Sequence, residues 1–116
     1  MSVPPVQQFM SGEIIFREGE PGQNMYIILE GDVEIVIVTG GGEKVLTVLT
    51  KGEFFGEMAL IDDSPRSATA RCKTPTKVLL MNDDQLDTYI ESHPAFAVKM
   101  IRNLVKRLRG ANKLIG

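Results

Sequence analysis

The feature that most constrains this chain is a change of pattern near residue 82. From Gly12 to about Met81 the sequence is a series of short apolar runs, each stopped within a few residues by Gly, Pro, Asn or Asp. Ile14-Ile15-Phe16 precedes a turn rich in Gly19, Pro21 and Gly22; Met25 to Leu29 follows, and Gly31-Asp32 joins it tightly to Val33 through Val38. The triple glycine Gly40-Gly41-Gly42 supplies the positive backbone dihedrals of a hairpin turn, after which Lys44 to Leu49 returns. Gly52 opens a further turn before Phe54-Phe55, and Ser67 to Cys72 and Lys77 to Met81 complete the series. Such runs are too short for helices. Turn signals at intervals of roughly 8–12 residues predict a β-sandwich or barrel.

Beyond Asn82 the pattern becomes helical. Asn82, Asp83 and Asp84 are each able to cap a helix running towards Glu91, and Pro94 suits the first turn of a second helix, where its missing N–H has no partner to lose. In that second helix Ile101, Leu104, Leu108, Ala111 and Ile115 fall on one stripe. The stripe either packs on the strands of the same chain or pairs with another subunit. Gly110 either acts as a joint in this helix or ends it as a cap. With 116 residues the chain has the size of a single domain, read as strands over about 12–81 and helices over about 83–113.

Charge and cysteine content narrow the function classes. A net charge of −2 argues against a protein that coats nucleic acid or anionic lipid. The basic residues Lys99, Arg102, Lys106, Arg107, Arg109 and Lys113 are clustered late, but a helix tolerates cations towards its C-terminus through its dipole, and no aromatics interleave them for base stacking. No direct nucleic-acid partner is expected. Cys72 is the only cysteine and His93 the only histidine, so no disulfide and no metal site is expected; a metal-dependent cupin lacks its usual ligands here. The single thiol fits a reducing cytoplasm. The first residues, Met-Ser-Val-Pro-Pro, lack the basic flank and apolar run of a signal peptide, and no apolar stretch approaches the ~20 residues that span a bilayer, so no membrane partner is expected. No nucleophile–base pair is identifiable. The chain is read as a binding domain without catalytic residues or cofactor.

The stretch from Gly52 to Thr69 carries the chemistry. A strand bearing two aromatics stops at Gly56; Glu57 to Ile61 are good helix formers, and Pro65 ends any helix within about one turn. A single turn leaves its N–H groups without internal partners, and these donors, with the positive end of the dipole, suit an anion. Gly56 lets the anion approach the backbone. Arg66, stiffened by Pro65, brings two parallel donors to the same charge, and Ser67 adds a hydroxyl. Glu57 is the odd member. A carboxylate beside a bound phosphate is repulsive unless it accepts a hydrogen bond of its own, and a sugar hydroxyl supplies one. Taken singly, Arg66 also fits a surface salt bridge to Asp62 or Asp63, and Glu57 a simple dipole complement; together they describe a sugar-phosphate pocket.

The run Phe55-Gly56-Glu57-Met58-Ala59-Leu60, followed by Pro65-Arg66-Ser67-Ala68-Thr69, resembles the phosphate-binding cassette of cyclic-nucleotide-binding domains. That family includes catabolite-activator-type regulators, regulatory subunits of cAMP-dependent kinase and nucleotide-gated channels. Gly12, Gly19, Gly22, Tyr26 and Gly31 are similar to its turn glycines and early strands. The resemblance implies a mainly β fold with C-terminal helices: a double-stranded β-helix (a jelly-roll-like β-roll) with a short helix in the cassette and two closing helices.

The resemblance also implies roles. Glu57 accepts from the ribose 2′-hydroxyl, Arg66 pairs with the cyclic phosphate helped by Ser67 and the amides of Met58 and Ala59, and Gly56 shapes the cassette. Val48, Leu49 and Phe54 line the pocket. A C-terminal helix closes over the base as a lid, with Arg107, Ala111 and Asn112 at base-facing positions. Where family members favouring cGMP often carry a threonine after the arginine, this chain has Ser67, which points to cAMP and leaves cGMP possible. An effector protein or fused output domain is implied as partner, and the apolar stripe itself is compatible with a homodimer through the C-terminal helix. The alternative is an interaction domain of the same fold that has lost the ligand or answers to another effector.

Overall fold

In the computed structural model, residues 4–57, 60 and 64–115 are described, with side chains through Arg109. Eight strands come first: β1 (Val6–Phe9), β2 (Ile14–Phe16), β3 (Met25–Glu30), β4 (Val33–Thr39), β5 (Gly42–Leu49), β6 (Phe54–Phe55), β7 (Thr69–Cys72) and β8 (Thr76–Met81). Two helices follow, α1 (Asp83–Ser92) and α2 (Pro94–Ile115). The strands form two four-stranded antiparallel sheets of order β1-β8-β3-β6 and β2-β7-β4-β5. Apart from the β4–β5 hairpin, sequence neighbours are split between sheets, as in a rolled-up pair of strands rather than a meander. The mainly β roll with C-terminal helices is therefore what this chain forms.

The core lies between the sheets. Tyr26, Ile28, Phe55 and Val78 from one sheet meet Val33, Leu49 and Ala70 from the other, with Phe9, Ile15, Phe16, Ile35 and Leu80 packed against them. Of the triple glycine only Gly42 takes a positive φ, and Gly31 shows best why a turn needs glycine. Its φ is 96°, and a Cβ there would overlap the Pro75 carbonyl and stand 2.6 Å from Thr76 Oγ1. Only glycine lets β3 turn into β4 against that neighbouring loop.

The structure adds a strand ahead of Gly12. Val6–Phe9 pairs with β8 from Val6↔Leu79 to Phe9↔Thr76. It escapes a hydrophobic reading because two of its four residues are glutamine and its first three are exposed. The short helix expected in the cassette falls largely on residues 58–59 and 61–63, outside the described residues; Leu60 is helical and its N–H donates to the Glu57 carbonyl at 3.0 Å.

The chain divides into two compact units, Met1–Asp83 and Asp84–Gly116. In the second, Pro94 opens α2 as its chemistry predicts. The α1–α2 junction is held by aromatic stacking: the Tyr89 and His93 rings lie 4.2 Å apart, and Phe96 meets Tyr89 edge-on at 5.3 Å. The helix runs through Gly110 to Ile115, so Gly110 does not end it. No helix among the described residues is long and apolar enough to cross a membrane.

Candidate functional site

The site is assembled where β6 stops. Phe54 and Phe55 pair with Ile27 and Tyr26 of β3, which buries both aromatics. Gly56 then turns the chain with φ 78°, a conformation that side chains resist. Glu57 follows and is buried at 5% exposure, an uncommon place for a carboxylate. Nine residues after Glu57 the backbone of Arg66 is clamped to the β2–β3 turn. The Gly19 N–H donates to the Arg66 carbonyl at 2.8 Å, and the Arg66 N–H donates to the Glu20 carbonyl at 2.9 Å.

This clamp sends the Arg66 side chain inward, to 7% exposure. Nη1 donates to the Gly56 carbonyl at 3.1 Å and Nη2 to the Asn24 carbonyl at 2.9 Å. The guanidinium carbon lies 4.2 Å from the centre of the Phe16 ring and 5.7 Å from that of Tyr26. Nε is buried and has no hydrogen-bond acceptor among the described residues. Burial holds the guanidinium below the ordinary arginine range, against the raising influence of Tyr26, Glu20 and Glu57. It remains a cation at any physiological pH. Burial also raises the Tyr26 phenol, with Arg66 pulling it down and Glu20 pushing it up.

Chemically, this is a buried positive charge with one donor unsatisfied, beside a buried carboxylate. Neutral carbonyls take one N–H from each of Nη1 and Nη2 without cancelling its charge. Leaving a buried donor unpaired costs roughly 1–3 kcal/mol, and a charged one more, so an acceptor that reaches Nε gains correspondingly. An anion is the natural acceptor.

The residues expected from sequence are placed as follows. Gly56, Glu57 and Arg66 come together: Gly56 bonds Arg66 directly, and Glu57 is close enough to influence its charge. Ser67 is exposed beside Arg66. Met58 and Ala59 lie outside the described residues. Phe54 is fully buried, and Leu49 belongs to the core. Val48 pairs with Glu34 while Leu49 pairs with Val33, so the two residues point to opposite faces, and Val48 is 37% exposed. They cannot both line one pocket wall, because successive strand side chains alternate. Arg107 is exposed on α2; Ala111 and Asn112 are on its backbone, with side chains outside those described. Sequence reasoning missed Phe16 and Asn24 as parts of the site, and it read Gly22 only as a turn. All three come from the β2–β3 region, more than forty positions from Arg66.

The chain matches the family model of the cyclic nucleotide-binding domain over residues 6–93. It belongs to that family. The domain is 35% identical over 105 residues to the CRP-like cAMP-activated global transcriptional regulator of Mycobacterium tuberculosis, a match covering 90% of this chain and 47% of the regulator. It thus spans about half the length of the curated regulators it matches. The crystal structure of Thermus thermophilus catabolite activator protein superposes with a TM-score of 0.83 at 32% identity, covering 97% of this domain and 53% of that chain. The EAL enzyme Bd1971 in its cAMP-bound form gives a TM-score of 0.69 at 35% identity, over 96% of this domain and 30% of the enzyme.

Proposed function

We propose that this domain is a cytoplasmic sensor of cyclic nucleotide, with cAMP as its ligand, and that it signals occupancy through α2 rather than catalysing a reaction. One observation carries the reading: Arg66 is buried as a cation with Nε lacking an acceptor. A cyclic phosphate supplies that acceptor and the countercharge together, as a charge-assisted bond. Glu57, buried close by, accepts from the ribose 2′-hydroxyl, which explains a carboxylate so near an anion site. Gly56, the amides of Met58 and Ala59, and Ser67 complete the cradle, with Leu49 and Phe54 forming apolar wall. Relatives support both nucleotides, since the EAL enzyme Bd1971 has a cAMP-bound and a cGMP-bound form. Ser67 in the place of a threonine favours cAMP.

Occupancy is passed on by α2, which carries the lid candidates Arg107, Ala111 and Asn112, and from there to an effector protein or a fused output domain. Titration calorimetry with cAMP and cGMP tests the reading. It predicts saturable binding with cAMP the tighter, and a loss of roughly tenfold or more, about 1.5–3 kcal/mol, in Arg66→Ala. Arg66→Lys keeps a charge while removing Nε and the planar fork, and it loses affinity as well. No binding by the unaltered domain, or variants that bind cAMP as tightly as the unaltered domain does, contradicts it.

A further inference from the structure

Two residues outside the cassette determine where the Arg66 guanidinium can lie. Phe16 ends β2, and its ring is 4.2 Å from the guanidinium carbon, within cation–π range. That ring is itself braced: its centroid lies 5.7 Å from Tyr26 and 5.8 Å from Phe55, whose two rings stack at 5.1 Å. Gly22 is the second. It does not share the positive φ of Gly19 or Gly31, so its backbone has no conformational need for glycine. Its need is spatial. A Cβ at Gly22 would overlap Nε, Cζ and Nη2 of Arg66. The guanidinium fills the space that a side chain at 22 would take.

We infer that Phe16 and Gly22 form a slot that positions Arg66 for the ligand, the ring supporting the guanidinium plane and the bare backbone giving it room. Both act through Arg66 and are positioning residues. The inference rests on the reading that Arg66 meets the nucleotide phosphate. Its consequence is that part of the nucleotide affinity is held in β2 and the β2–β3 turn. A long side chain with free rotamers loses entropy on binding; one already held by two carbonyls and a ring loses less. Gly22→Ala meets only the end of a flexible side chain, so the protein refolds around it at little cost, and the arginine is what moves.

The test combines calorimetry with nuclear magnetic resonance of the Arg66 Nε–H, assigned by its loss in Arg66→Lys. In the free protein the Hε of Arg66 is expected upfield of other arginines because of the Phe16 ring, and it moves towards their position in Phe16→Leu and in Gly22→Ala. Phe16→Tyr retains the shift. For cAMP, Phe16→Leu weakens binding by roughly two- to thirtyfold, the range of a cation–π contact, and Phe16→Tyr restores it. Gly22→Ala weakens binding by about tenfold with an unchanged melting profile, and by less than about twofold when introduced into Arg66→Lys. An Arg66 Hε that ignores both substitutions overturns the slot, whether or not nucleotide binds. Full cAMP affinity in both variants overturns it too. Failure of the unaltered domain to bind cAMP or cGMP instead removes the proposed function, while the resonance in the free protein still decides the slot.

Discussion

The roll and the helical unit use apolar residues in opposite ways. In the roll, Phe54, Met25, Ile28, Met81, Val33 and Val78 are fully buried, and the apolar positions of six strands share one interior. In the helical unit, α1 has no buried residue, and Val98, Ile101, Val105 and Leu108 of α2 stand 41–62% exposed. The roll is stabilised from within, whereas α2 presents an apolar stripe flanked by Lys99, Arg102, Lys106 and Arg109. The buried charge of the site is also in the roll, held by backbone carbonyls and aromatics that the fold fixes in advance.

Core substitutions provide the largest contrast. Phe54→Ala removes a fully buried ring and should lower stability by about 3–5 kcal/mol in chemical denaturation. Ile101→Ala on α2, 61% exposed, should change it by less than about 0.5 kcal/mol. Comparable losses at the two positions would break the contrast. Next in size is Gly31→Ala, where positive φ and the Pro75 carbonyl together should cost more than about 1 kcal/mol of roll stability.

Alkaline pH sharpens the comparison from another side. Burial raises Cys72, as it does Tyr26, with the side-chain hydrogen bond it shares with Thr76 lowering the thiol and Glu13 raising it. Groups raised in the folded state favour folding while protonated. Stability should be level below the ordinary thiol value, near pH 8.5, and fall as pH climbs through the folded values of Cys72 and Tyr26. Tyr26→Phe and Cys72→Ala should flatten the fall; an unchanged alkaline limb would show that it originates elsewhere. The smallest effect expected is kinetic. If α2 closes over bound nucleotide, cAMP should slow amide exchange in its last turns while strand β3 changes little; equal exchange with and without ligand would remove α2 from the signal.

Much of the roll was legible because glycine and proline mark turns by physical necessity. Gly19, Gly31 and Gly56 all adopt the positive φ that such turns require. Glu57 and Arg66 were legible as a pair by type and spacing, and the structure buries both, with Glu57 close enough to act on the guanidinium. Other parts were not. β1 carries its pairing in backbone hydrogen bonds rather than in buried side chains, and hydrophobic pattern is blind to that. Val48 and Leu49 were grouped as lining although the alternation of a strand separates them. Asn24 joins the site through its carbonyl oxygen, which any residue type offers, so its identity gives no signal. Gly110 looked like a joint or a cap, yet α2 continues past it, since one glycine costs a long helix only about 1 kcal/mol.

The central claim concerns one hydrogen atom. Titrating the domain with cAMP while following the Arg66 Nε–H resonance tests it directly. The account predicts a downfield move that saturates with binding, as the donor now unpaired acquires a phosphate oxygen. Bound cAMP with that resonance unmoved would contradict it.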